Sequence, residues 1–361
     1  PGYPPLVIHY QLNCRGEFYV FYLAALELIT QHPHHFNPGI VSGTMTTGHA
    51  LSGKSYLEHR AIRFLVPVYP EAFQPSDSIG GILHQRVRAA SDVLRSCTLC
   101  PRLCRVNRFE QPGTRCSAGA LPVVSACHPH FGEEPPLVGR YGSGTIFFAS
   151  CTFRCAFCQN FDISQDPNAG APVSHGNLSL IIKSLRSEGA ANINLVGGEP
   201  TPNLHVIMEA LNLTSVNVPI LWNSNMYLTP EAMKILADVV DIWLPDFKWG
   251  NDRCAVKYSR IIRYFGVASR NHAVAHENGD MIIRHLVMPG HVECCTKPVL
   301  DWIAGNCPRA LVNVMGQYRP EHLVQREPEK YREIARRPDE QEIGEARGYA
   351  DQLGLIWEPV S

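Results

Sequence analysis

From Thr145 onward, short apolar runs rich in β-branched and aromatic residues alternate with longer stretches of mixed polarity. The short runs predict strands at 145–149, 193–196, 220–222, 242–244, 281–287 and 311–314. The longer stretches predict helices at 178–188, 205–212, 230–237, 297–305 and 340–353, the last stopped by Gly354. Strands this apolar, each followed by a helix, point to an α/β fold with a parallel sheet covered on both faces. Six such units predict an incomplete (β/α)6 barrel. A further helix is expected at 82–94. Residues 1–81 show no recurrent pattern and read as a poorly defined N-terminal extension, with the histidines around 32–35 in a solvated loop. The expected organisation is therefore an extension at 1–81, a Cys-rich segment at 82–140 and the barrel core at 141–361.

Composition adds two exclusions. The chain is 45% hydrophobic and 18% charged, which provides ample material for a core. Its net charge of −1 implies no broad polyanion-binding surface, so no nucleic-acid partner is expected. No apolar run reaches the roughly 20 residues of a membrane helix, and the apolar segment at 18–29 lacks the flanks of a signal peptide. The 13 cysteines are the outlying feature, and most fall between Cys97 and Cys158. In a chain of 361 residues with no export signal, they read as reduced, metal-binding thiols of a cytoplasmic protein rather than a disulfide framework.

Cys151, Cys155 and Cys158 follow directly on the first predicted strand. Active sites of barrel folds gather at the C-terminal ends of their strands. Three local thiolates could hold an iron–sulfur cluster and leave one iron open to a ligand from elsewhere. Zinc with a distant fourth ligand is the alternative, but the spacing of three then two residues is unusual for it. A second set, Cys97, Cys100, Cys104 and Cys116, is folded by Pro101 and Gly113 and suits either zinc or an auxiliary cluster. Cys254, Cys294, Cys295 and Cys307 are scattered and are assigned no metal.

The triplet Cys151, Cys155 and Cys158, with Phe157 before the last thiol, resembles the signature of the radical S-adenosylmethionine superfamily. That resemblance implies a radical S-adenosylmethionine barrel, a 4Fe–4S cluster on the three thiolates, and S-adenosylmethionine on the fourth iron as the source of a 5′-deoxyadenosyl radical. It also assigns cofactor-binding roles at later strand ends. Gly197, Gly198, Glu199 and Pro200 resemble the superfamily's Gly-Gly-Glu-Pro segment, where paired glycines would let a ligand approach the backbone and Glu199 would accept from an ammonium group. Asn223 and Asn225 resemble its ribose-side segment. Asp246, with Lys248, and Arg284 resemble strand ends of glycyl-radical-enzyme activases, and Gln317 and Tyr318 would line the adenine or substrate side.

The upstream cysteines, the segment from His130 to Pro136 and the strand ends together resemble the pyruvate formate-lyase-activating-enzyme homologue group. The resemblance covers roughly residues 94–355. Ser150 stands where that group often carries Gly. An oxidoreductase abstracting hydrogen from an unidentified substrate follows as the implied activity, with a glycine of a partner protein as one such substrate. A low-potential flavodoxin or ferredoxin follows as the electron donor. A non-enzymatic zinc- or iron–sulfur-stabilised binding or electron-transfer protein would explain the cysteines, but not the polar groups at four successive strand ends.

Overall fold

The computed structural model describes residues 78–360, apart from 215, 217 and 238. The N-terminal extension expected at 1–81, with its histidines, lies outside the described residues except for its last few positions. The described residues belong to one compact unit.

The elements run in the order α1 (Ser78–Arg95), β1 (Val123–His130), β2 (Ser143–Phe148), β3 (Ala171–Pro172), α2 (His175–Ser187), β4 (Ile193–Gly197), α3 (Leu204–Leu213), β5 (Ile220–Ser224), α4 (Pro230–Leu236), β6 (Ile242–Pro245), α5 (Tyr264–Asn278), β7 (Asp280–Leu286), α6 (Lys297–Asn306), β8 (Leu311–Met315) and α7 (Glu340–Gln352). One sheet carries all eight strands in the order β3-β1-β2-β4-β5-β6-β7-β8. From β2 through β8 the neighbours are parallel, giving the expected six-stranded partial barrel. The antiparallel strands β1 and β3 extend its first edge. Helix ends follow local chemistry. Ser174 and Thr229 cap α2 and α4 by accepting from Asn177 N and Ala232 N. Asp339 and Glu342 form a capping box on α7.

Alternation along each strand separates two cores. Ile220, Trp222, Trp243, Ile283, Val312 and Val314 belong to the large core that includes buried residues of the surrounding helices. The intervening residues Leu221, Ile242, Leu244, Ile282 and Leu311 form a second, smaller core with Leu137 and Val360. In register with Ile283–Val312 and His285–Val314, Arg284 pairs with Asn313, so the same alternation places both on the face of this smaller core.

Three elements escape the sequence pattern, the two-residue strand β3 being the shortest. Strand β1 contains His128, Pro129 and His130 and an irregular register between Val124 and Ala126. Helix α5 buries Tyr264, Ala268, Asn271, His272, Ala275 and His276, a face too polar to register as an apolar stripe. Asn271 Nδ2 compensates by donating to the carbonyls of Met226 and Leu228.

Candidate active site

The loop after β2 carries Cys151, Cys155 and Cys158, the first two buried and the third half-buried. Phe153 N donates to Cys151 Sγ at 3.3 Å, and Asn225 Nδ2 approaches the same sulfur at 3.7 Å. Ser259 Oγ lies 3.1 Å from Cys155 Sγ, and Ser164 Oγ lies 3.1 Å from Cys158 Sγ. Trp249 Nε1 donates to Ser259 Oγ, which leaves the Ser259 hydroxyl hydrogen free for a Cys155 thiolate. Burial pushes all three thiols up, Cys155 to about 12, while Lys248 acts in the opposite direction on Cys155 and Cys158. Neutral thiols are thus favoured in the bare loop, and a bound cationic centre would be needed to hold thiolates here. This donor set fits an iron–sulfur cluster, whose potential is tuned by hydrogen bonds to sulfur.

The loop is built by strain and by long-range backbone bonds. Ser150 adopts φ 74°, a left-handed conformation that favours glycine. Ala156 N donates to Tyr258 O at 2.7 Å, and Arg154 N donates to Ser259 O at 3.2 Å. Phe157 packs edge-on against Trp249 and tilted against Tyr318.

At the end of β4, the physical reason for the glycine pair differs from expectation. A Cβ on Gly197 would stand 2.2 Å from Phe148 O, and one on Gly198 would stand 2.0 Å from Ser150 O. The glycines therefore let two protein backbones meet, and their side-chain positions face the chain rather than a ligand. Glu199, 1% exposed, is also committed to the protein. Its Oε1 accepts from Thr201 N, Thr201 Oγ1 and Ser224 Oγ, and its Oε2 accepts from Asn225 N at 2.9 Å. One lone-pair direction on Oε2 is left for an ammonium group. Burial raises the Glu199 carboxyl despite these donors. Its clearest contribution is to fix Asn225, whose amide then touches Thr152 and Cys151.

Asn223, Asp246 and Arg284 come together. Arg284 Nε donates to Asp246 Oδ1 at 3.0 Å, Arg284 also donates to Asn223 Oδ1, and Lys248 pairs with the other Asp246 oxygen. Burial opposes the Asp246 charge, but Arg284 and Lys248 prevail and hold its carboxyl below the ordinary value of 3.8. Asn223 Nδ2 is a buried donor with no hydrogen-bond partner. An unpartnered donor beside this charge cluster suits a ligand rich in acceptors. Tyr318 does not line this space: it is fully buried and donates to Ile334 O at 2.7 Å. Gln317 contributes its carbonyl, which lies 3.4 Å from Gln159 Nε2.

A second part of the interior comes from the His130–Pro136 segment, which carried the motif resemblance but to which no site role was assigned. Glu133 and Glu134 follow β1 and reach Asn194 of β4 and Asn313 of β8. Burial, with Glu134 beside it, pushes Glu133 up to about 7 against the opposing influence of Arg284. Glu134 Oε2 and Asn194 Oδ1 are buried without hydrogen-bond partners. The signal available in the sequence was a pair of adjacent carboxylates before two prolines, which reads equally well as a surface turn.

Cys97, Cys100, Cys104 and Cys116 all line one small cavity, together with Arg102, Arg108 and Thr152. Left-handed residues Leu103, Arg105 and Ser117 fold the segment back on itself, and Arg105 N donates to Cys97 O at 3.0 Å. Burial pushes Cys100 up to about 12. Arg102 ties this knuckle to the central loop by donating to Thr152 O at 3.0 Å. Three cysteines to which the sequence assigned no metal also converge, because Cys254 and Cys294 meet His291 beside Cys295.

A family model described as the radical SAM superfamily matches residues 145–303. The uncharacterized protein MJ0674 of Methanocaldococcus jannaschii is 41% identical over 280 residues, which cover 76% of this chain and 80% of that protein. Among solved structures, Streptococcus suis SuiB bound to precursor peptide SuiA has a TM-score of 0.43 and 14% identity over 57% of this chain. SuiB bound to S-adenosylmethionine also gives 0.43, with 13% identity over 56% of this chain. The chain spans less than half of SuiB, 45% and 44% in the two comparisons.

Proposed function

This chain belongs to the radical SAM superfamily, and from that membership we propose an enzyme that binds a 4Fe–4S cluster at Cys151, Cys155 and Cys158 and abstracts hydrogen from a substrate. Such a cluster, when reduced with S-adenosylmethionine on its open iron, supplies a 5′-deoxyadenosyl radical. The observation that carries the residue assignment is the meeting of three thiols with four further strand ends in one polar cluster. Lys248 places positive charge near Cys155 and Cys158. Asn225 donates toward Cys151 and is itself fixed by Glu199. Glu199 Oε2 is the proposed acceptor for the ammonium group of S-adenosylmethionine, with Asp246 near the same methionine end. Arg284 positions Asp246 and Asn223, and the unpartnered Asn223 Nδ2 is proposed to meet an oxygen of the ribose. Gly197 and Gly198 act through packing, by letting β4 close against the end of β2.

The four upstream thiols are proposed to hold an auxiliary iron–sulfur cluster, supported by their shared cavity. The motif resemblance to pyruvate formate-lyase-activating-enzyme homologues supports a finer reading, in which the hydrogen comes from a glycine of a partner protein. It also supports a flavodoxin or ferredoxin as reductant. Among the described residues, no helix is long and apolar enough to cross a membrane.

The test is anaerobic reconstitution with iron and sulfide, reduction, addition of S-adenosylmethionine and chromatographic measurement of 5′-deoxyadenosine. Product should form with the parent chain and vanish with Cys155→Ala. Cys100→Ala should retain the central cluster's spectrum. Absence of product from a parent chain with a reducible cluster would refute the enzymatic reading.

A further inference from the structure

Cys254, His291 and Cys294 present ligand atoms that all lie within 4.8 Å of one another. They come from two separate connections, one between β6 and α5 and the other between β7 and α6. Cys294 Sγ is 3.8 Å from Cys295 Sγ, and Cys295 in turn interacts with Cys254. Cys254 and Cys295 are buried, as is His291. Two sulfurs and an imidazole nitrogen therefore converge, with the Cys295 sulfur adjoining the set and Cys294 half-buried at its outer side.

The surroundings orient these groups. The His291 Nδ1 hydrogen donates to Pro289 O at 2.8 Å, since a carbonyl can only accept. That bond leaves Nε2 as the bare nitrogen, the tautomer that a histidine ligand needs. Asn251 Nδ2 donates to Cys294 O at 2.7 Å and to Cys295 Sγ at 3.4 Å, while Asn251 Oδ1 accepts from Cys254 N at 2.9 Å. One side chain thus spans both ligand-bearing segments. Gly250 allows their approach: a Cβ there would stand 2.6 Å from Cys295 O.

Both segments also contain π-helical turns, Ala255–Ser259 immediately after Cys254 and Val292–Thr296 around Cys294 and Cys295. Such turns are rare and are concentrated at functional sites. Here they bring sulfurs from two connections to one place.

We propose that Cys254, His291, Cys294 and Cys295 form a Cys3His site for one zinc-type ion, separate from both cysteine sets recognised in the sequence. A tetrahedral ion with bonds of about 2.3 Å to sulfur holds its sulfurs roughly 3.8 Å apart, the spacing found for Cys294 and Cys295. With four protein ligands the site is closed, which makes its role structural. The first π turn ends at Tyr258 and Ser259, whose carbonyls accept from Ala156 N and Arg154 N of the central loop. Ser259 Oγ also reaches Cys155 Sγ. The ion therefore clamps the platform on which the Cys151–Cys158 loop rests. This site does not depend on the proposed radical chemistry.

The test compares zinc and iron per chain, by elemental mass spectrometry, in the anaerobically purified full chain and in its His291→Ala and Cys294→Ser variants. The expected result is one zinc fewer per chain in each variant. Equal zinc in parent and folded variants would overturn the proposal. Should the variants fail to fold, iodoacetamide labelling of the parent provides the answer by peptide mapping. Chelation should expose Cys254, Cys294 and Cys295 while buried Cys307 stays protected. Labelling of the three thiols that is unchanged by chelation, or a disulfide among them in the parent, would overturn it.

Discussion

Two carboxylates near Arg284 behave in opposite ways. Asp246 lies at the strand-end rim, in contact with both Arg284 and Lys248, and its carboxyl is held below the ordinary range. Glu133 lies in the layer bounded by Asn194 and Asn313, with Glu134 as its neighbour, and is pushed up to about 7. Burial works against charge in both. Direct ion pairing overcomes it at the rim, whereas Glu133 has a neutral amide donor and a second acid beside it. The rim is therefore preorganised with charge in place, while the inner layer retains acceptors that lack hydrogen-bond partners.

The pairing is the first thing to break. Arg284→Met should cost about 3 kcal/mol, because it leaves the Asp246 carboxylate with only Lys248, measured by chemical denaturation near neutral pH. The same variant should raise the Glu133 pKa further, since Arg284 opposes its upward shift. A stability loss below about 1 kcal/mol would show that the rim is not held by this pair.

Changing pH sharpens the contrast, because the two acids act with opposite sign. The Glu133 carboxyl is raised from its ordinary 4.5 to about 7. The folded state therefore holds an extra proton between those values, and stability should fall as pH rises from about 4.5 to about 7. The lowered Asp246 carboxyl contributes stability above its ordinary 3.8, lost as pH falls through its depressed folded value. Glu133→Gln keeps an acceptor for Asn194 and should flatten the first slope, gaining on the order of 2 kcal/mol at pH 8. Parallel denaturation curves for parent and variant at pH 5 and pH 8 would contradict the inner-layer account.

The smallest effect concerns the loop that joins β2 to the thiols. Ser150 carries φ 74°, so Ser150→Gly should stabilise the chain by about 1 kcal/mol, read as a modest rise in Tm. A fall in Tm would mean that the Ser150 side chain makes a larger contribution than its backbone strain.

What the sequence revealed follows from how local each feature is. The six parallel strands were legible because both of their faces are covered, so that Ile220–Trp222 reads as an apolar run and Leu311–Met315 as one interrupted only by Asn313, with only their ends misjudged. The Cys151–Cys158 triplet was legible because one loop contains it. Helix α5 was not, since Asn271 and His272 occupy its buried face, Asn271 donating across to the β5–α4 connection and His272 using only its Nδ1, on Ala268 O, while its Nε2 is buried without a partner. Gly197 and Gly198 were found for a reason the packing revises. Tyr318 looked like a site residue because a tyrosine at a strand end gives no sign that its hydroxyl will reach Ile334 O. Cys254 and Cys294 are 40 residues apart in the chain and become neighbours only when β6 and β7 pair. Only the run from His291 to Cys295 offered a local hint, an imidazole followed closely by two thiols.

The central claim is that the cluster at Cys151, Cys155 and Cys158 binds S-adenosylmethionine directly. Electron paramagnetic resonance of the reduced, reconstituted chain, with and without S-adenosylmethionine labelled at its carboxylate oxygens, tests it most directly. Addition should change the cluster signal, and the label should produce hyperfine coupling that Cys155→Ala lacks. A reduced parent cluster whose spectrum is identical with and without the labelled compound would contradict the account.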